Sequence, residues 1–96
     1  MPEVKRYVLD VLKPHEPDML ALAEGVAECA GVDGVNALLM EVDEEVQNVK
    51  LTVEGDAVVT DAVDDAVESQ GGSIHSIDQV ACGEVLIEDS PTPQDR

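Results

Sequence analysis

Positive charge is scarce in this sequence. Five Lys and Arg residues stand against 22 Asp and Glu, and lysine occurs only as Lys5, Lys13 and Lys50. Neutralising phosphates requires a basic stripe, which five scattered cations cannot supply, so nucleic acid is excluded as a direct partner. An anionic membrane surface is excluded on the same ground. Aromatic residues are scarcer still, with Tyr7 alone and neither Phe nor Trp. No apolar run approaches the ~18 residues of a membrane span, and "MPEVKRYVLD" lacks the long apolar core of a signal peptide, so a cytoplasmic location is expected. The two cysteines, Cys29 and Cys82, form no C-x-x-C pair and have no histidine at ligand spacing. That sets aside zinc-finger and thioredoxin chemistry and leaves both as small buried apolar residues.

What remains is acid and aliphatic. The formal net charge is −17 while apolar residues make up 44% of the chain, enough to fold despite self-repulsion. The acids occupy almost every polar position instead of one tail. Such a solvating surface suits a halophile's cytoplasm, where the Debye length falls to about 3 Å at 1 M salt. A chain of 96 residues makes one domain, expected over residues 1–88 with a polar tail over 89–96. Its core is modest, which makes oligomerisation a ready source of further burial.

The order of elements is legible from periodicity. "VKRYVLDVLK" carries Tyr7, Leu9 and Val11 on one face and Val8 and Leu12 on the other beside Asp10, a strand covered on both sides. "EPDMLALAEGVAECAG" spaces Met19, Leu22, Ala23, Val26 and Ala30 as a helix, with Pro17 in the first turn and Gly31 as the stop. Two strands then flank an acidic connection near Asp43 to Gln47. The first offers Val35, Ala37 and Leu39 to one face and Leu38, Met40 and Val42 to the other, and the second sets Val49, Leu51 and Val53 against polar neighbours. A second helix puts Val59, Val63, Ala66 and Val67 opposite Asp61, Asp64, Asp65 and Glu68, and ends at Gly71 and Gly72. A strand over "SIHSIDQVAC" breaks at Gly83, and Val85 to Ile87 form a candidate short fifth strand.

Strand, helix, strand, strand, helix, strand is the order of the split βαβ arrangement. The fold class is therefore α+β and ferredoxin-like, an antiparallel sheet with both helices on one face. In this topology the first strand is central, and three connections meet at one end of the sheet: strand one to helix one, the hairpin, and helix two to strand four. His15 lies in the first connection and His75 begins strand four. The two histidines thus become neighbours although distant in sequence.

The strings "VLDVLKPHEP", "GVDGVN", "LMEVDEEVQNVKLTVEG" and "GGSIHSIDQVACG", with "TPQ" near the end, agree in order and spacing with a known family. Over nearly all of residues 6–94 the chain resembles the small, mainly archaeal family known as domain of unknown function 211. The second helix departs most, and Cys82 stands where a small or aliphatic residue would be expected. The resemblance implies a ferredoxin-like subunit, assembly into a closed ring of identical subunits and an archaeal cytoplasm. It supplies no biochemical activity.

The clustered loops form the candidate site, with His15, Glu16, Glu41, Asp43, His75 and Asp78 as candidate ligands of a divalent cation. An oxygen-rich set suits Ca, Mg or Mn, and an imidazole pair suits Zn, Ni or another transition metal. Other readings are a turn-capping His15 between Pro14 and Pro17, a strand His75 bonded to a neighbouring polar group, and a pH-sensing pair. Catalysis is not expected. Ser73 and Ser76 flank His75 without a convergent base and oxyanion donor, and "KPHEP" stands where ferredoxin-like acylphosphatases carry an arginine in a Gly-rich loop. The expected function is a non-enzymatic, homo-oligomeric module, cyclic in assembly, with a site for a divalent cation or small ligand. The alternative is a purely structural assembly protein. A sheet apolar on both sides needs a cover, most simply a second copy, with residues 85–87 either pairing a neighbour's edge strand or folding back on their own subunit.

Overall fold

In the computed structural model, which describes residues 2–90, the expected order of elements is present. Strands β1 (Val4–Pro14), β2 (Gly34–Val42), β3 (Val46–Val58) and β4 (Ser73–Cys82) alternate with helices α1 (Met19–Ala27) and α2 (Thr60–Ser69). The sheet runs β2-β3-β1-β4 and is antiparallel throughout. This is the ferredoxin-like α+β arrangement. Of the tail anticipated over 89–96, residues from 91 onward lie outside the described residues. Among the described residues no helix is long and apolar enough to cross a membrane.

One sheet face carries the helices and the core. Tyr7, Leu9 and Val11 of β1 and Val49, Leu51 and Val53 of β3 are buried against Leu22 and Val26 of α1 and Val63 and Val67 of α2. Tyr7 gives the core a polar handle, its hydroxyl donating to Asp64 Oδ1 at 2.8 Å. Burial, and then that bond, push its phenol up to about 12. Among the described residues the opposite face has no layer of its own, and of its apolar residues only Val8 is buried.

Helix boundaries differ from the periodicity reading for local reasons. Asp18 is the N-cap of α1, its Oδ1 accepting from Ala21 N–H at 2.9 Å, so Pro17 stands ahead of the first turn and not within it. The helix ends at Ala27, and Gly31, with φ 81°, serves a different purpose. A Cβ there would overlap the carbonyl of Ala57, and one on Gly55 would overlap the carbonyl of Gly31, so the two glycines let the α1–β2 connection cross β3 at backbone contact. Cys29 packs partly against the core, whereas Cys82 is exposed and corrects the expectation that both would be interior. No strand forms after β4 among the described residues, so the fifth-strand segment Val85 to Ile87 is irregular in a single copy.

Candidate functional site

The three connections meet at one end of the sheet as the topology requires. The β2–β3 turn is built on Asp43, whose Oδ1 accepts from Glu45 N–H at 2.9 Å and Val46 N–H at 2.8 Å. Its own N–H closes onto Val46 O at 3.0 Å. Aspartate is suited to this place because its short carboxylate mimics the backbone turn. The two N–H donors, Val46 first, hold that carboxyl below the usual carboxylate range, with a smaller contribution from the His15 charge. His15 ties the β1–α1 connection to the same turn, its Nε2–H donating to Asp43 O at 2.7 Å. The carbonyl can only accept, so Nε2 carries the hydrogen.

Beside this turn the open sheet face holds a cleft of about 330 Å³. Its walls are Asp10 and Leu12 of β1, Glu41 and Val42 of β2, Val46 and Asn48 of β3, His75 of β4, and the turn residue Asp43. Two ladder irregularities bring the chemistry in. Leu39 pairs with Val49 while Glu41 pairs with Asn48, so Met40 is bulged and Glu41 lands on the open face, where plain alternation would place Val42 with Leu38. On the other side Val11 pairs with Ile74 and Asp10 with Ser76, leaving His75 as the extra residue of a bulge. Asn48 Nδ2 donates to Asp10 Oδ1 across the cleft floor.

The structure therefore brings Glu41, Asp43 and His75 to one cleft and places His15 at the turn that bounds it. Glu16 is exposed in the β1–α1 connection, outside the cleft lining. Asp78 lies further along the open face, in a second hollow of about 620 Å³ with Arg6, Val8, Met40, Lys50 and Thr52 among its walls. It accepts from Ser76 Oγ at 2.6 Å. Among the described residues no three His, Cys, Asp or Glu side chains converge where a single ion would be held. Asp10 and Asn48 are members of the site that sequence reasoning missed. Asp10 carried a signal, since it interrupts the apolar row of Val8 and Leu12, whereas Asn48 is one of a row of polar residues on its strand face and carried none.

At the far end of the same face Arg6 is enclosed between two acids, its side chain 16% exposed. Nε donates to Glu54 Oε2 at 2.6 Å, while Nη1 and Nη2 donate to the two oxygens of Glu88 at 2.7 and 2.9 Å. The guanidinium holds the Glu88 carboxyl below the usual carboxylate range. Burial raises the Cys29 thiol, so this cysteine is not an activated thiolate.

Fold and cleft together define a small split βαβ module with an acidic end and one unlayered sheet face. Comparison with known proteins places it more closely. The profile of an uncharacterised family, ArCR or domain of unknown function 211, matches residues 5–96. An uncharacterised protein of Methanocaldococcus jannaschii is 46% identical over 93 residues, covering 97% of this chain and 96% of the relative. The chain belongs to this family, as the resemblance in its motif strings implied.

Proposed function

We propose that the protein is a non-catalytic module that assembles with copies of itself along the edges of its sheet and takes up a small cationic ligand in the acidic cleft. The observation that carries this reading is apolar exposure on both edges. Strand β2 leaves Leu38, Leu39, Met40 and Val42 exposed, and β4 leaves Ile77 and Val80 exposed. Edge strands of this kind template association unless something covers them. The two edges differ, so the contact they favour is heterologous, and such a contact closes into a ring when its rotation permits.

The cleft supports the ligand half of the reading. Asp10, Glu41 and Asp43 supply diffuse negative charge without a preformed coordination sphere, which suits a hydrated Mg or Ca ion, or a compact organic cation, better than tightly held Zn. A non-catalytic role fits Ser76, which donates to the exposed carboxylate of Asp78 and not to a histidine. One observation favours the purely structural alternative. His15, Asp43, Asp10 and Asn48 already pair among themselves and so could serve only to fix the loops.

Native mass spectrometry on chelator-free protein, with an elemental scan and titrations of MgCl2, CaCl2 and ZnCl2, tests both halves. The reading expects a multimer with saturable cation binding that the Asp10→Asn/Glu41→Gln variant loses. A ligand at 100 times Kd would stabilise the fold by about 2.7 kcal/mol. A multimer that binds nothing supports the structural alternative, and a monomer at all concentrations refutes assembly.

A further inference from the structure

The segment after β4 is attached at two points only. Among the described residues, the hydrogen bonds joining residues 83–90 to the rest of the chain are Gly83 N–H to Glu3 O at 2.8 Å and the two from Arg6 to Glu88. Between these points the chain arches beside the end of β4, without a further hydrogen bond among the described residues. Its side chains alternate, with Val85 and Ile87 66% and 72% exposed, Leu86 partly buried, and Glu88 turned onto Arg6. Alternation of this kind is what a segment needs to join a sheet edge.

We propose that the Arg6–Glu88 pair is a latch that holds this arch in shape, so that Val85 and Ile87 dock on the exposed β2 edge of a second copy. The inference rests on the assembly reading above and names the contact that would carry it.

Three features support it. First, Arg6 is a costly residue to commit here. It is one of five cations in a chain of net charge −17, it is largely enclosed, and all three of its donor groups are used, one on Glu54 to fix its orientation and two on Glu88. A bidentate pair fixes direction as well as distance, which a lysine in this place would not do. Second, the latch lies on the open face of the sheet, opposite the helices and the core. Glu88 is exposed, so the fold gains little from the pair beyond the position of the arch. Third, an apolar pair left exposed in one copy gains its burial only in another, and an arch already shaped loses less entropy on docking than a free tail. The β2 edge suits it, being unpaired along its outer side and apolar at Leu38 and Met40.

In this proposal Arg6 and Glu88 are positioning residues, and Val85 and Ile87 make the contact. The test uses the full chain at fixed salt, with mass followed against concentration by light scattering. Three proteins are compared: wild type, Glu88→Gln, and Val85→Ser/Ile87→Ser. Backbone 15N order parameters for residues 84–90 are measured on the Ser variant with and without Glu88→Gln. The proposal expects an assembled wild type, a Ser variant that dissociates, and a Glu88→Gln protein whose half-assembly concentration rises by about tenfold or more. It also expects order parameters over the arch to fall below about 0.6 once the latch is cut. A Glu88→Gln protein that assembles like wild type while the Ser variant dissociates overturns the latch and leaves assembly standing. A Ser variant that keeps full mass overturns the docking surface. A monomeric wild type removes the assembly reading itself.

Discussion

The crossing of Gly31 and Gly55 lends itself to a quantitative test of how tightly this fold is drawn together. A methyl group on Gly55 would stand 2.9 Å from the Gly31 carbonyl carbon, 3.0 Å from Asp33 N, and in overlap with the Gly31 oxygen. All three are backbone atoms, so no side chain can swing aside. To restore ordinary contact the two segments must separate by roughly an ångström or more, and hydrogen bonds flank the crossing on both sides. Asp33 N–H donates to Glu54 O at 2.8 Å, and Val59 N–H to Ala30 O at 3.2 Å. Losing two such bonds costs about 0.5–1.5 kcal/mol each, and overpacking adds about 1–3 kcal/mol. Reduced entropy of the unfolded chain returns about 0.4–1 kcal/mol to the alanine variant. The expected net loss for Gly55→Ala is therefore about 3 kcal/mol, a large share of the roughly 5–15 kcal/mol that stabilises a domain. At about 4–8 °C per kcal/mol for a domain of this size, Tm should fall by more than about 10 °C. Calorimetry at fixed salt and protein concentration reads this directly. Gly34→Ala is the internal control, since nothing lies within 4 Å of a Cβ there. If both variants melt within about 2 °C of wild type, the backbone crossing is not a tight constraint and the account of Gly31 fails with it.

Two further perturbations address titration. Tyr7→Phe removes the hydroxyl donated to Asp64 and should cost about 1–2 kcal/mol. The folded phenol titrates at about 12 against 10.0 ordinarily, so the wild-type fold favours the protonated form. Its contribution is complete below pH 10.0 and is lost as pH rises towards about 12. Alkaline melts of Tyr7→Phe should lack that decline, and an identical decline in both proteins would assign it to another group. For Asp43 the sign is opposite. Its carboxyl is held below the ordinary carboxylate range, so its contribution is present at neutral pH and lost as pH falls through and below that range. Asp43→Ala, which deletes both turn acceptors, should lower Tm and flatten the acid limb of the stability curve. Asp43→Asn, which keeps an acceptor oxygen, should fall between, and an alanine variant with an unchanged acid limb would contradict the turn assignment.

Periodicity was enough to read the elements because this chain sorts its residues sharply. Val49, Leu51 and Val53 alternate with polar neighbours, and Val63 and Val67 face away from an acidic helix side, so each element's type and buried face follow from spacing alone. Element order then fixed which loops share an end of the sheet, and His15 does reach the hairpin turn. Register was not legible. Extra residues, Met40, His75 and Asp78 among them, bulge the outer ladders, and a bulge changes which side chains share a face without any residue type announcing it. Glu41 entered the cleft by this route, whereas Asp78 lies too far along β4 to reach it. Asp10 was read only as a polar neighbour of Val8 and Leu12, because a lone acid within an apolar strand looks like a solubility device until the strand beside it places Asn48 opposite. The Arg6–Glu88 pair links the first strand to the end of the described chain, and no local pattern in either stretch indicates it.

The two ends of the open face pose opposite electrostatic problems, and the solutions are connected. At the Arg6 end the protein places a cation between two carboxylates and so satisfies its charges internally. At the Asp43 end three carboxylates face one cleft, with His75 in its wall and His15 at the turn that bounds it as the groups able to carry positive charge. Subunits of net charge −17 repel one another over a Debye length of about 8 Å at physiological ionic strength, so any assembly must first offset that repulsion. A cation taken up in the cleft removes charge where the sheet ends meet solvent and so favours association. By linkage, association must then raise the affinity for that cation by the same factor. Under the assembly reading, ligand uptake and oligomerisation are therefore one coupled equilibrium, and a substitution at Asp10 or Glu41 should change both together.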